Sequence, residues 1–220
     1  MKRSRQQYEN EPKILSSSPL KIVLLGDGCI GKSTLFDKLN KLTEENYRFP
    51  KKYKATDNFD FKRIEVKTSM GIATVDFWDT AGQENRGGLL RDAYLKGADG
   101  VLLLYDVTEN KTKLNIPQWL EQIKKIAPGV PVAVLGNKAD KFSDLQQSKS
   151  VKLRDCNLQR DYGCSEIKNY LISIKEDSHI EFTSGGFWSS EENITEKEGC
   201  LIGLEYVLKS LFGEPIKIEY

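Results

Sequence analysis

From residue 20 onward, short apolar runs alternate with amphipathic ones. "LKIVLL" (20–25) predicts a buried strand, followed by a glycine-containing loop and the helical run "KSTLFDKLNKL" (32–42). "FDFKRIEVKT" and "IATVDFW" flank Ser69, Met70 and Gly71, the pattern of a β-hairpin. "GVLLLYDV", "VPVAVLGN" and "HIEFTS" are further β-rich runs. Helical stretches separate them: "IPQWLEQIKKIA" and a longer segment over 141–178. "EKEGCLIGLEYVLKSLF" predicts a last helix, with apolar positions at helical spacing. Strands that alternate with helices imply an α/β fold, a mostly parallel six-stranded sheet with helices on both faces. Such sheets bind ligands at the carboxyl ends of their strands.

The first 19 residues break this pattern: they are polar, with Pro12, Pro19 and a serine triplet, and read as a flexible arm. One domain is expected over 20–213, with a short tail over 214–220. "KRSR" near the start fits either a nuclear address or a solvated terminus. A formal charge of +1 gives no sign of direct nucleic-acid binding. The four cysteines form no CxxC pair, and with His179 the sole histidine a zinc site is not expected. Without an apolar leader or a membrane-length run, the chain is expected inside the cell, cytoplasmic or nuclear or both. "GEPIKIEY" holds no cysteine to prenylate, so no lipid anchor of that kind is expected.

The chemistry begins after the first strand. "GDGCIGKS", Gly26 to Ser33, matches G-x-x-x-x-G-K-[ST] between a strand and a helix. Gly26, Asp27, Gly28, Cys29, Ile30 and Gly31 would wrap phosphates with inward amides, where the helix N-terminus also favours anions. Lys32 would reach the β- and γ-phosphates, Ser33 would place its hydroxyl on Mg²⁺, and Thr34 continues the phosphate-binding turn. "WDTAGQE" supplies Asp79 as a second Mg²⁺ residue, Gly82 as an amide able to approach a γ-phosphate, and Gln83 to orient an attacking water.

A phosphate loop alone fits an ATPase, a nucleotide kinase or a GTPase. "GNKAD" after the strand "VPVAVL" decides for guanine. Asp140 offers a carboxylate to the two adjacent N–H groups that guanine carries and adenine lacks. Asn137 can tie this loop to the phosphate loop, and the stem of Lys138 can cover the purine face. Past "HIEF", a backbone amide at Thr183, Ser184 or Gly185 could meet the guanine carbonyl, or the stretch is a glycine-rich turn.

In this order, "GDGCIGKS", "WDTAGQE" and "GNKAD" resemble a Ras-superfamily small GTPase over residues 20–212, a P-loop G domain. "FPKKYKAT", "GGLLRDAYLKGA" and "DVTENKTKLNIPQW" are similar to segments of the Ran family, which sets direction in transport between nucleus and cytoplasm. Asn115, Pro117 and Trp119 keep that family's Asn-x-Pro-x-Trp spacing. The resemblance implies that Thr56 is the switch threonine touching Mg²⁺ and γ-phosphate, and that Phe49 lies against the guanine edge. It implies a GTP/GDP cycle and a monomer served by a GTPase-activating protein, an exchange factor and state-specific, karyopherin-like effectors. The sequence departs from the family at Asp57 and Asn58, where an apolar residue and Gly stand, and at Thr183-Ser184-Gly185 in place of Ser-Ala-Lys. It also has a longer 141–178 segment and no acidic tail. The alternatives are an interaction module that holds nucleotide without cycling, and a small GTPase of a trafficking branch.

Overall fold

The computed structural model describes residues 13–40, 59–80, 88–141, 167–175, 178–181, 200–213 and 215–219. The strands β1 (Leu20–Leu25), β2 (Phe59–Thr68), β3 (Gly71–Thr80), β4 (Gly100–Asp106), β5 (Val132–Asn137), β6 (Ile167–Ser173) and β7 (Ser178–Glu181) form one sheet. Its order is β2-β3-β1-β4-β5-β6-β7. The β1–β3, β1–β4, β4–β5 and β5–β6 pairings are parallel, and the hairpins β2–β3 and β6–β7 are antiparallel. The helices are α1 (Lys32–Asn40), α2 (Gly88–Leu95), α3 (Asn110–Leu114), α4 (Ile116–Ile126) and α5 (Ile202–Phe212).

Every residue of β4 and β5 is buried, as a strand covered on both faces requires. On one face Ile22, Leu24, Leu102 and Leu135 meet Leu35 and Leu39 of α1 and Leu204 and Leu208 of α5. On the other, Val23, Val101, Leu103 and Val134 meet Leu95 of α2 and Ile116, Trp119 and Ile123 of α4. Pro117 sits in the first turn of α4, where its missing N–H leaves no helical bond unmade.

The expected six strands are all present, and β6 is a seventh. It corrects the helical reading of 141–178: residues 167–173 are extended and pair with β5 from Val132↔Ile167 to Gly136↔Leu171. "IKNYLIS" holds only a short apolar stretch, Tyr170 to Ile172, with no strict polar alternation around it, and periodicity over so few residues does not separate a buried strand from a buried helical turn. Residues 142–166 lie outside the described residues.

Residues 13–15 and 217–219 are tied to the β2–β3 hairpin. The Leu15 N–H donates to Ile72 O at 2.9 Å and the Ile72 N–H to Lys13 O at 2.7 Å, so the last part of the expected arm joins β3. In the expected tail, the Glu219 N–H donates to Lys67 O beside the antiparallel bridge Thr68↔Ile218, and the Ser69 N–H donates to Lys217 O at 2.8 Å. Ile216 and Ile218 are buried in the core beneath α5. Truncating Ile216 to Ala should therefore cost about 2–5 kcal/mol, the usual range for a buried aliphatic side chain. Urea unfolding measures it; a loss below about 0.5 kcal/mol, the size of a surface change, would show that the tail is not part of the fold.

Candidate functional site

The site is built where β1, β3, β4 and β5 end. β1 delivers the chain at Leu25 into the loop that α1 closes at Lys32. Gly26 and Gly31 turn with φ of 127° and 104°. A Cβ on Gly26 would overlap the Leu104 carbonyl, and one on Gly31 the Asn137 amide, so the cradle is shaped for residues without side chains. Cys29 also takes a left-handed φ, 62°. Ile30 buries its side chain in the α1-side core and anchors the loop from below. Lys32 is buried, its Nζ donating to Gly26 O at 2.7 Å and Asp27 O at 2.6 Å. Ser33 and Thr34 follow in the first turn of α1. Anions favour such a helix start with a resident ammonium.

Asp79 belongs to the same end. The β1–β3 register pairs Leu24 with Asp79, which places this buried carboxylate next to the start of the phosphate loop. The Thr80 hydroxyl donates to Leu24 O at 2.7 Å and fixes that alignment. A carboxylate and a serine hydroxyl are hard oxygen donors, the set that suits Mg²⁺ alongside phosphate oxygens and water. The residues present fit the ion. Phe49, Thr56, Gly82 and Gln83 lie outside the described residues.

At the base end β5 finishes on Asn137, whose Nδ2 donates to Ile30 O at 2.8 Å, the tie the sequence predicts. Lys138 turns back with φ 69°; its ammonium pairs with the Asp106 carboxylate and reaches Cys29 O at 3.3 Å. Asp106 ends β4, and its other oxygen accepts from the Thr108 N–H at 2.9 Å and hydroxyl at 2.6 Å. This stretches the Lys138 stem between β4 and the phosphate loop.

Asp140 sits in the 3-10 turn Ala139–Lys141. One of its oxygens accepts from the Ser173 hydroxyl at 2.9 Å, and Lys175 stands 3.8 Å from the other. The Ile174 N–H points at Asn137 Oδ1, 3.4 Å away. Ser173, Ile174 and Lys175, where β6 ends, thus stand beside Asp140 and Asn137 at the base end. Sequence reasoning missed these residues because the strand that carries them was read as helix. The signal was the apolar stretch Tyr170, Leu171 and Ile172 running into Ser, Ile and Lys, one strand beyond "GNKAD". Thr183, Ser184 and Gly185 lie outside the described residues.

The geometry thus joins a phosphate cradle, hard-oxygen metal donors and a carboxylate set for a base. The model of the Ras family matches residues 21–182. The chain belongs to the Ras family. It is accordingly a GTP-binding small GTPase, and as in Ras-family proteins generally its ligands are guanine nucleotide and Mg²⁺. Proteins of this family hydrolyse GTP and work with activating proteins, exchange factors and effectors.

For this Ras-family chain, base selection should depend on Asp140 and on the hydroxyl that orients it. Asp140→Asn presents a donor where guanine also donates, so GTP affinity should fall by about tenfold to over a hundredfold while affinity for xanthosine triphosphate rises. Ser173→Ala should cost GTP about tenfold without that gain. Competition binding with GTP, xanthosine triphosphate and ATP reads both. Equal wild-type affinity for ATP and GTP would contradict the guanine assignment.

Proposed function

We propose that this protein is a Ran-like switch that hydrolyses GTP slowly and gives direction to transport between nucleus and cytoplasm, residing in one or both compartments. The observation that carries the reading is the start of α4. There Asn115, Pro117 and Trp119 keep a spacing similar to that of the Ran family, and Asn115 and Trp119 both reach the phosphate loop at Asp27. The similar segments "FPKKYKAT" and "GGLLRDAYLKGA" support it.

In this reading the phosphate-loop amides and Lys32 bind the β- and γ-phosphates, while Asn137, Lys138, Asp140 and the end of β6 hold the base. Ser33, Asp79 and Thr56 would hold Mg²⁺, which when bound neutralises charge on the β- and γ-phosphate oxygens. Gln83 orients a water that adds to the γ-phosphorus as the bond to the β,γ-bridging oxygen breaks, and GDP leaves with that electron pair. The neighbours of Thr56 are Lys54, Ala55 and Asp57, so no arginine stands beside it to act in cis. Turnover without an activator is expected at about 10⁻⁴ to 10⁻³ per second. Loss of the γ-phosphate releases the segments that carry Thr56 and Gly82, and with them the partner surface.

Asp57 and Asn58 favour a second reading, a module that holds nucleotide without cycling and presents a fixed docking surface. Single-turnover phosphate release separates the two: a wild type that never hydrolyses GTP supports the fixed module.

Gln83→Leu tests the chemical step. GTP affinity should change by less than about twofold, while hydrolysis with an activator present falls by orders of magnitude, since activation of such enzymes contributes about 10³ to 10⁵. Phosphate release at the wild-type rate would contradict the role of Gln83. The transport role has its own test. The GTP form of Gln83→Leu should retain a karyopherin-type receptor that the GDP form does not, and exclusive recovery of membrane-trafficking effectors would move the protein to another branch.

A further inference from the structure

An acidic residue inside a phosphate-binding loop is an electrostatic liability. Asp27 is the second residue of the loop, and Lys32 already donates to its main-chain carbonyl at 2.6 Å. The residue whose carbonyl meets this ammonium thus also carries a carboxylate, a rival to a phosphate for the same charge. In the structure that carboxylate is directed onto α4 instead. Oδ2 accepts from Asn115 Nδ2 at 2.6 Å and Oδ1 from Trp119 Nε1 at 3.1 Å.

The two donors stand at i and i+4, on one face of the helix start. Asn115 occupies the N-cap of α4, yet its side chain makes no capping bond there, so the amide is given to Asp27 rather than to the helix. Trp119 is buried, which fixes its indole N–H in place. Less than one turn beyond Trp119, Gln122 of the same helix donates to Asp92 of α2 at 3.0 Å, an independent contact that seats α4 against its neighbour.

We propose that Asn115 and Trp119 are positioning residues for nucleotide retention: they hold the Asp27 carboxylate away from Lys32 and leave the ammonium to the phosphates. The inference rests on the nucleotide-binding reading of this same loop and deepens it. Hydrogen bonds to a carboxylate are among the stronger ones in proteins, and two of them suffice to hold a side chain in one rotamer. Without them the carboxylate competes for Lys32 and repels the phosphates directly.

The test uses the full chain loaded with a fluorescent GDP analogue and Mg²⁺, chased with unlabelled GDP. Trp119→Phe keeps the ring and removes the N–H; combined with Asn115→Ala it should release the analogue about tenfold faster than wild type. Gln122→Ala, which loosens α4 without freeing Asp27, should release at the wild-type rate. The decisive variant adds Asp27→Ala to the pair. With no carboxylate left to misplace, release should return to within about threefold of wild type, a rescue that a merely structural role of α4 does not produce. Fast release that persists in the triple variant, or unchanged release in the pair, overturns the inference while leaving the switch reading intact. A wild type that retains no GDP overturns the switch reading and this inference with it.

Discussion

The bond from the Asn137 amide to the Ile30 carbonyl holds the site together. Phosphate and base are recognised on different loops, one after β1 and one after β5, with β4 between them. Each loop alone is a turn at the end of a buried strand. Their separation is set by the sheet, and their relative height is held by this buried contact, between an asparagine that is 4% exposed and a carbonyl in the phosphate loop, with the Lys138 ammonium at Cys29 O as a second tie. A buried amide must be satisfied, so the contact is obligatory rather than incidental. Gly31 is the geometric condition for it, since a side chain there would displace the amide.

The sheet order explains why the site lies at β1. The chain leaves β1 towards β3 and β2 on one side and returns to place β4, β5, β6 and β7 on the other. The strand order therefore reverses at β1, and it is at the carboxyl end of such a switch point that an open α/β sheet offers a crevice. The left-handed turns at Gly26, Cys29 and Gly31 aim backbone into that crevice. The residues that surround them, Ile30 in the core and Asn137 above, are what keep such conformations in place.

Motifs with strict spacing were legible in the sequence because their chemistry depends on local backbone order: "GDGCIGKS" straddles one strand-to-helix turn, and "GNKAD" one strand end. The β2–β3 hairpin was legible for the same reason. What remained hidden depends on contacts far apart in the chain. β6 could not be told from a helix by its apolar run alone, and only its pairing with β5 makes it a strand. Ser173 becomes meaningful only once that pairing brings it to Asp140. The hold of residues 13–15 and 217–219 on the hairpin at 67–72 is likewise a matter of backbone partners, not of composition, so the end of a polar, proline-containing arm read as flexible.

A site for a highly charged anion that contains several aspartates raises an electrostatic question, and the structure answers it residue by residue. Asp106 is neutralised by Lys138 and further occupied by Thr108. Asp140 is turned by Ser173 towards the base end, where a carboxylate is wanted. Asp27 is taken up by Asn115 and Trp119 on α4. Asp79 stands beside Leu24 next to the start of the phosphate loop, where a divalent cation would give it a purpose. Negative charge near phosphate is tolerable when each carboxylate has a partner that fixes its direction, because Coulomb repulsion in a partly desolvated crevice grows steeply as the charges approach. Specificity for guanine would then cost the site little: the Asp27 and Asp106 carboxylates point at protein, and the one left at the base end, Asp140, would face N–H donors of the base.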